Sequence, residues 1–115
     1  MKSEVRKYKD RQKKHHKETN PSRLLALHYE VLTPEQIRRV KTVLTIRQEG
    51  RCAICGIARQ DMKREFALDH DHINGHIRGL LCSSCNLMLG CARDSLAVLS
   101  AGIRYLDGCN NQKFV

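Results

Sequence analysis

The sequence predicts a small α+β fold that is held together by a bound metal ion, and three features lead to this prediction. Two Cys-x-x-Cys pairs, at 52–55 and 82–85, are separated by 26 residues. Between the pairs, Asn74-Gly75 lies between two short apolar segments, which indicates a β-hairpin. Helical patterns with recognisable start signals precede and follow this region. At 115 residues the chain has room for one compact domain with an arm.

Charge and composition divide the chain into four predicted regions. They are a basic, mobile N-terminal arm at 1–19, a helical extension at 20–49, the metal-stapled core at 50–92, and a C-terminal helix with a tail at 93–115. Residues 1–23 contain nine Lys and Arg against three Asp and Glu, which accounts for six of the nine net positive charges. Such a flank suits the phosphate backbone of a nucleic acid, since each neutralised phosphate releases counterions. A solvated tail without a partner is the alternative.

Two helices are predicted before the first cysteine pair. Asn20-Pro21 provides a cap and a first helical position for a short apolar helix that runs to about Leu32. Thr33 caps a second helix, and Gln36 completes a capping box three residues later. Gly50 then suits the left-handed position that follows a helix end. This second helix leads directly to the first cysteine.

The hairpin is expected to pair residues 68–72 with residues 76–81. A tight type I′ turn is predicted to join them, because Asn-Gly suits its two positive φ angles. A helix that begins at Ser83 or Ser84 and runs to Gly90 is predicted to follow the second strand. The second cysteine pair therefore lies where the second strand meets this helix.

A last helix is predicted from Asp94, as its cap, to about Leu106, with Gly108 ending it. Its apolar residues recur at helical spacing, which predicts an amphipathic helix. The apolar face consists of Leu96, Leu99, Ile103 and Leu106.

The chain contains no run of about eighteen apolar residues, so no membrane span and no membrane partner are predicted. The first residues also lack the apolar stretch of a secretory signal. We therefore expect a cytoplasmic protein in a reducing compartment. Cysteine pairs in that compartment bind metal more often than they form disulfides.

The two cysteine pairs predict one structural zinc ion. Two residues between the cysteines of a pair allow both sulfurs to face one ion, and two such pairs complete a tetrahedron. The ligands are Cys52, Cys55, Cys82 and Cys85. A redox pair, two disulfides or buried free thiols are the competing interpretations, and the βαβ pattern of a redox pair is absent. Cys91 and Cys109 are expected to be ordinary small residues.

Residues 50–90 resemble the phage endonuclease VII family, a branch of the HNH or ββα-metal nucleases. The resemblance rests on Leu68-Asp-His-Asp-His72, on Asn74-Gly75, and on Arg78-Gly-Leu-Leu-Cys-x-x-Cys-Asn86, all in the family's order. It implies a ββα-metal core with flanking helices and a metal-dependent endonuclease that hydrolyses DNA phosphodiesters. If the chain is encoded by a phage, the resemblance places it in the host cytoplasm.

The same resemblance implies roles for three residues. Asp69 and Asn86 resemble the ligands of one catalytic Mg²⁺ or Mn²⁺, and His70 resembles the general base. A carboxylate and an amide oxygen are hard ligands that suit Mg²⁺, and a neutral imidazole can accept a proton near pH 7. His72 is expected either to touch the scissile phosphate or to make a structural hydrogen bond.

The geometry of a regular strand conflicts with this assignment. Asp69 and His70 would point to opposite faces, so we expect a bend or bulge near Asp69, or a site at the edge of the strand. Asp71 is expected to orient a neighbour or to face solvent. Arg78 either pairs with phosphate or is buried against backbone carbonyls, and His76 is expected at the surface.

The chain departs from the family at Leu89, where relatives that resolve branched DNA carry an acidic residue. A third acidic group is therefore absent or comes from elsewhere, for example from Asp94. DNA is the expected partner, recognised mainly through its backbone and shape. Resolution of a four-way junction would need a homodimer, since two sites must be held at a fixed separation. A non-catalytic zinc module that binds nucleic acid and a zinc-stapled protein-interaction domain are the alternative functions.

Overall fold

The computed structural model describes residues 17–109, which form four helices and a two-stranded antiparallel sheet. In chain order the elements are α1 (Pro21–Leu25), α2 (Pro34–Arg47), β1 (Ala67–His70), β2 (Ile77–Leu81), α3 (Ser83–Cys91) and α4 (Leu96–Cys109). Short 3-10 turns occur at Tyr29–Val31 and Arg59–Asp61. The predicted small α+β class is confirmed. Most of the predicted arm, at 1–16, and the end of the tail, at 110–115, lie outside the described residues.

Helix α1 begins as predicted but is shorter. The Asn20 side chain accepts a hydrogen bond from the Ser22 N–H at 3.0 Å, with proline in the first turn. The helix ends at Leu25, so the prediction that it runs to about Leu32 was wrong. The backbone is extended at His28, and the Tyr29 N–H donates to the Gly75 carbonyl at 2.8 Å. The Tyr29 N–H therefore bonds to a residue distant in the chain and not to a carbonyl of a continued helix.

Helix α2 confirms its predicted start and end. The Gln36 N–H donates to Thr33 Oγ1 at 3.2 Å, and the Thr33 N–H donates to Gln36 Oε1 at 2.9 Å. These reciprocal bonds are the predicted capping box. Beyond the helix, Glu49 and Gly50 both adopt positive φ angles, of 55° and 69°. The Gly50 N–H donates to the Thr45 carbonyl at 2.8 Å and closes the helix end.

The hairpin is present, but its strands are shorter than predicted and its turn is of another type. Residues 71–76 form the connection, so His72 lies in the turn rather than in β1. Gly75 has a φ of 73°, whereas Asn74 does not have a positive φ, and a type I′ turn needs both. The cause is Asp71, whose carboxylate accepts hydrogen bonds from the N–H groups of Ile73 and Asn74, at 2.7 and 3.1 Å.

Helix α3 matches its prediction, since it begins at Ser83 and extends one residue past Gly90. Helix α4 differs at both ends. Asp94 was wrongly predicted as its cap, because the Val98 N–H donates to Ser95 Oγ at 3.1 Å and Asp94 has a φ of 54°. Gly108 lies inside the helix and does not end it. Asp94 is thereby left free for another role.

The core lies between α1, α2, the hairpin and the cysteine pairs. Its buried members are Leu24, Leu27, Leu32, Val40, Leu44, Cys52, Phe66, Leu80, Leu81, Cys82 and Cys85. Phe66 is the single aromatic side chain among them, so aliphatic groups and sulfur atoms form most of the buried surface. This composition agrees with a fold that depends on a metal staple.

One side chain, Gln48, joins the end of α2 to the sheet. Its Oε1 accepts a hydrogen bond from the Leu80 N–H, and its Nε2 donates to the Leu80 carbonyl, both at 2.9 Å. The same Nε2 donates to the Arg51 carbonyl at 2.8 Å. Gly79 is adjacent, and a Cβ there would lie 3.0 Å from the Gln48 Oε1. A small residue at 79 therefore lets the carboxamide reach β2.

Candidate functional site

The four predicted cysteines form one cluster. Their Sγ atoms all lie within 4.8 Å of one another, and those of Cys55 and Cys82 are 3.6 Å apart. A zinc ion with Zn–S bonds of about 2.3 Å requires sulfur–sulfur separations of about 3.8 Å in a regular tetrahedron. The cluster therefore has the size and the ligand chemistry for one zinc ion. Cys91 is exposed on α3 and lies outside this cluster.

Hydrogen bonds between residues close in the chain hold the first cysteine pair, Cys52 and Cys55, in place. The Cys52 N–H donates to the Ile57 carbonyl at 2.9 Å, and the Gly56 N–H donates back to the Cys52 carbonyl at 3.1 Å. Gly56 has a φ of 77°, a conformation that glycine adopts without strain. The Ala53 N–H donates to the Leu80 carbonyl at 3.1 Å, so the first cysteine pair is attached directly to β2.

The electrostatics of the cluster also favour a cation. Burial, followed by hydrogen bonding to the Cys82 thiol, raises the pKa of Cys85 to about 12. Although burial raises the pKa of Cys52, N–H donation from Cys82 and from neighbouring residues lowers it to about 6. One thiolate in the cluster therefore disfavours another. A bound divalent cation removes this repulsion and allows all four sulfurs to ionise.

A polar cleft of about 210 Å³ lies between the hairpin and α3. It is lined by Leu68, Asp69, His70, His72, Asn86, Leu89, Gly90 and Asp94. The structure thus brings the predicted residues Asp69, His70 and Asn86 to one cleft. Asn86 is exposed in the first turns of α3, directly after Cys85. The cysteine cluster and the cleft share this helix.

A β-bulge reconciles the strand with the cleft. Asp69 pairs with Gly79, whereas the next residue, His70, pairs with Ile77. Arg78 is therefore an extra residue on β2 without a partner on β1. The bulge disrupts the ladder locally at the end of β1, and it is there that Asp69 and His70 both line the cleft. The irregularity that the sequence required near Asp69 is present.

Two aromatic rings flank His70. The Tyr29 ring stacks on it, with ring centroids 4.1 Å apart and planes 6° from parallel. The His72 ring lies near it, with centroids 4.9 Å apart and planes 60° apart. His72 reaches this position from the exposed turn rather than from β1. Sequence reasoning missed Tyr29, and no motif signals a contact between residues so distant in the chain.

The contacts of Arg78 are with carboxylates and not with the backbone carbonyls of one alternative. Its Nε donates to Asp69 Oδ2 at 2.6 Å, and its Nη2 donates to Asp69 Oδ1 at 3.0 Å. The same Nη2 also donates to Asp94 Oδ2 at 3.3 Å. Hydrogen bonding to Asp69 raises the pKa of Arg78 above its usual range. Both oxygens of a predicted cation ligand are thus engaged by a guanidinium.

Asp94 enters the cleft from the segment between α3 and α4. Arg93 and Asp94 have φ angles of 56° and 54°, a conformation that costs non-glycine residues on the order of 1–3 kcal/mol each. The Asp94 N–H donates to the Leu89 carbonyl at 2.9 Å and so holds the turn at the end of α3. Asp94 Oδ2 lies 3.9 Å from His72 Nδ1. An acidic group therefore enters the cleft from outside the motif.

The other candidate residues have structural positions. Asp71 holds the turn, and the Ile73 and Asn74 N–H groups lower its pKa. His76 is exposed, as predicted. The ring of His28 accepts a hydrogen bond from the Glu30 N–H and covers Gly75. His15 and His16 lie outside the described residues.

The fold and the site define a small α+β protein with a four-cysteine metal cluster beside a polar cleft. The chain matches the family described as Recombination endonuclease VII over residues 22–108, and it belongs to that family. The predicted resemblance is confirmed. In residues 17–109 no helix combines the length and apolar character needed to cross a membrane.

Two curated relatives are similar to about half of the chain. The Gene 59 protein of Mycobacterium phage D29 is 50% identical over 60 residues, and the Gene 59 protein of Mycobacterium phage L5 is 48% identical over 60 residues. Each alignment covers 51% of this chain and 36% of the relative. The chain therefore spans about a third of the length of the curated relatives it matches.

Proposed function

We propose that this chain is a metal-dependent endonuclease of the HNH type that hydrolyses DNA phosphodiester bonds. One observation carries the proposal: Asp69, His70 and Asn86 line a single cleft beside the cysteine cluster. A module that only binds nucleic acid needs the cysteines and the basic charge, but it has no use for this combination of side chains. Membership of the family supports the same conclusion.

Asp69 and Asn86 are suited to bind one Mg²⁺ or Mn²⁺. A carboxylate and a carboxamide oxygen are hard ligands, and Mg²⁺ completes its shell with water and phosphate oxygens. When bound, such a cation stabilises negative charge on the phosphate and on the departing sugar oxygen. The Asp69 oxygens are engaged by Arg78, so cation binding must compete with that ion pair.

His70 acts as the general base in this proposal. The oxygen of a water molecule bonds to phosphorus while the bond from phosphorus to the departing sugar oxygen breaks, and a ring nitrogen of His70 takes the proton of the water. Tyr29 and His72 restrict the orientation of the His70 ring through the contacts described above. His72, at the exposed edge of the cleft, contacts the scissile phosphate.

DNA binds mainly through its backbone. Phosphate contacts give affinity without sequence preference, and the net charge of +9 suits them. The basic residues of the arm at 1–19 contribute to these contacts. Comparison of the salt dependence of DNA binding with and without residues 1–19 tests this contribution, because each lost phosphate contact lowers the slope. An unchanged slope would contradict it.

A homodimer formed through α4 is part of the proposal. Leu96, Ile103 and Leu106 are 82%, 69% and 68% exposed, and with Leu99 they recur at alternating spacings of three and four residues. This spacing is typical of a seam that pairs with an identical helix. Sedimentation of the wild type and of an Ile103→Lys variant tests the dimer. A monomeric wild type would contradict it.

A nicking assay tests the enzyme activity. Zinc-loaded protein is expected to convert supercoiled plasmid to the open circle with Mg²⁺ and not without an added divalent cation. His70→Ala should still bind DNA and lose cleavage, whereas His76→Ala, which alters an exposed histidine outside the cleft, should cleave normally. An intact plasmid across several divalent cations would identify a binding module instead.

The preferred substrate is tested by a direct comparison. Cleavage rates on a four-way junction, a nicked duplex and a plain duplex of matched sequence distinguish a junction resolvase from a general nickase. Preference for the junction is expected if two active sites act together in a dimer. The Ile103→Lys variant should then lose symmetric cleavage of the junction and retain nicking of the duplex.

A further inference from the structure

We propose that Arg78 and Asp94 form an exchange pair that controls access of the cation to Asp69. Arg78 bonds to both Asp69 oxygens and to Asp94, and in this proposal it keeps only its contact with Asp94 when Asp69 binds a divalent cation. Asp94 is then a positioning residue that acts through Arg78. This inference rests on the proposed cation site at Asp69 and adds a regulatory step to it.

The first support is the completeness of the Arg78–Asp69 pair. Two nitrogens of one guanidinium bond to both oxygens of one carboxylate, at 2.6 and 3.0 Å. Asp69 lines the cleft but is only 8% exposed, so little of its carboxylate is open to a cation. A cation that binds an Asp69 oxygen lies close to the permanent positive charge of Arg78, and this repulsion favours release of at least one of the two bonds.

The second support is that a receptor for the displaced guanidinium is already in contact with it. Arg78 Nη2 is shared between Asp69 Oδ1 and Asp94 Oδ2, at 3.0 and 3.3 Å. Asp94 can therefore retain Arg78 without a new contact being built. Its charge offsets the repulsion between the guanidinium and a cation at Asp69.

The third support is the local backbone. Arg78 is the extra residue of the β-bulge, so no residue of β1 is its partner in the register. Asp94 is fixed from the other side by consecutive left-handed residues and by its N–H bond to Leu89. The Arg78 guanidinium thus contacts both carboxylates, and the backbone holds Asp94 in its place. This arrangement suits transfer of the guanidinium from Asp69 to Asp94.

A double-mutant cycle on Mn²⁺ affinity tests the exchange. Free Mn²⁺ is measured by electron paramagnetic resonance with the zinc-loaded full chain and without DNA, for the wild type, Asp94→Asn, Arg78→Gln and the double variant. Asp94→Asn should weaken Mn²⁺ binding about fivefold, and Arg78→Gln should tighten it by a similar factor. In the Arg78→Gln background, Asp94→Asn should change the affinity by less than about twofold.

The alternative of a direct action predicts the opposite pattern. If Asp94 binds the cation or attracts it as a simple charge, its removal has a larger effect once Arg78 no longer neutralises it. An equal or larger effect of Asp94→Asn in the Arg78→Gln background would therefore overturn the exchange. So would an unchanged affinity in the single Asp94→Asn variant. Asp61→Asn, which removes an exposed carboxylate of the 59–61 turn, is the control for net charge.

Two further measurements complete the test. Asp69→Asn should abolish the Mn²⁺ site, and if it does not, the proposed cation site fails rather than the exchange alone. For the unmodified protein, the exchange of the Arg78 Nε–H with water is followed by NMR. The rate should rise when Mg²⁺ is added, because Mg²⁺ at Asp69 releases that hydrogen. An unchanged rate at saturating Mg²⁺ would contradict the exchange even if the Arg78 variants failed to fold.

Discussion

The Tyr29 ring lies flat against the His70 ring, with centroids 4.1 Å apart and planes 6° from parallel. Tyr29 comes from the 3-10 turn after α1, whereas His70 ends β1. The helical extension therefore contacts a residue that lines the cleft. It gives the imidazole an orientation that the hairpin alone does not supply.

Replacement of Tyr29 should impair cleavage more than folding. Under the proposed function, Tyr29→Ala frees the His70 ring and should lower the nicking rate about tenfold, since general-base catalysis depends on orientation. Tyr29→Phe retains the stacked ring and should cleave nearly as well as the wild type. Zinc content and thermal melting of both variants separate this effect from unfolding. Equal rates for the alanine and phenylalanine variants would contradict an orienting role.

Loss of a cysteine ligand should abolish the folded state. Zinc binding contributes on the order of 10–16 kcal/mol in small zinc domains, which exceeds what this aliphatic core can supply. Cys85→Ser is expected to lose bound zinc and the cooperative thermal transition. Metal content by mass spectrometry and a circular dichroism melt check this. Cys91→Ser is the control, because this exposed thiol lies outside the cluster, and it should retain one zinc per chain.

Gly75 should tolerate no side chain, for two reasons. Its φ of 73° disfavours any L-residue by roughly 1–2 kcal/mol, and a Cβ there would overlap the His28 ring. Gly75→Ala should therefore lower the melting temperature. Gly102→Ala is the matched control, because an added Cβ meets no atom within 4 Å in α4. This helical substitution should stabilise the protein by roughly 0.5–1 kcal/mol, and a similar loss in both variants would be inconsistent with the overlap at Gly75.

The turn should loosen in acid through Asp71. Hydrogen bonds from the N–H groups of Ile73 and Asn74 lower the pKa of this carboxyl in the folded protein. Its contribution is therefore present above the unfolded pKa of about 3.9, and it is lost as the pH falls through the lower folded pKa. NMR protection factors of the Ile73 and Asn74 amides should fall over this range before that of Leu80 in β2.

Asp71→Asn supplies the control for this pH dependence. Asparagine keeps an oxygen that can accept the same two hydrogen bonds, but it does not titrate. The protection of the turn amides should then follow that of Leu80 at every pH. A pH dependence identical to that of the wild type would assign the loosening to another group.

Features set by neighbouring residues were predictable from the sequence. The capping box of Thr33 and Gln36 needs only residues three apart, and the structure contains both of its bonds. The cysteine cluster followed from two spacings and the tetrahedral preference of zinc. A bend or bulge near Asp69, or a site at the edge of the strand, was expected because two adjacent side chains had to face one phosphate, and the structure has a bulge there. In each case the physical constraint acts within a short segment or through a known ligand geometry.

Features set by distant residues were not predictable. The end of α1 depends on a hydrogen bond from the Tyr29 N–H to the carbonyl of Gly75, which lies far along the chain in the turn of the hairpin. Aspartate is a common helix cap, yet the Asp94 carboxylate accepts a hydrogen bond from Arg78, and Ser95 caps α4 instead. The sequence pattern does not show which residue caps the helix, since this depends on which side chains lie near Asp94 after folding.

Because Asn86 directly follows the zinc ligand Cys85, its position depends on whether zinc is bound. Under the proposed function, a newly translated chain remains harmless to DNA until zinc loading fixes α3 against the hairpin. Intracellular zinc supply would then determine how much of the synthesised protein becomes competent to cut. Metal starvation would silence it without altering any residue that contacts the substrate.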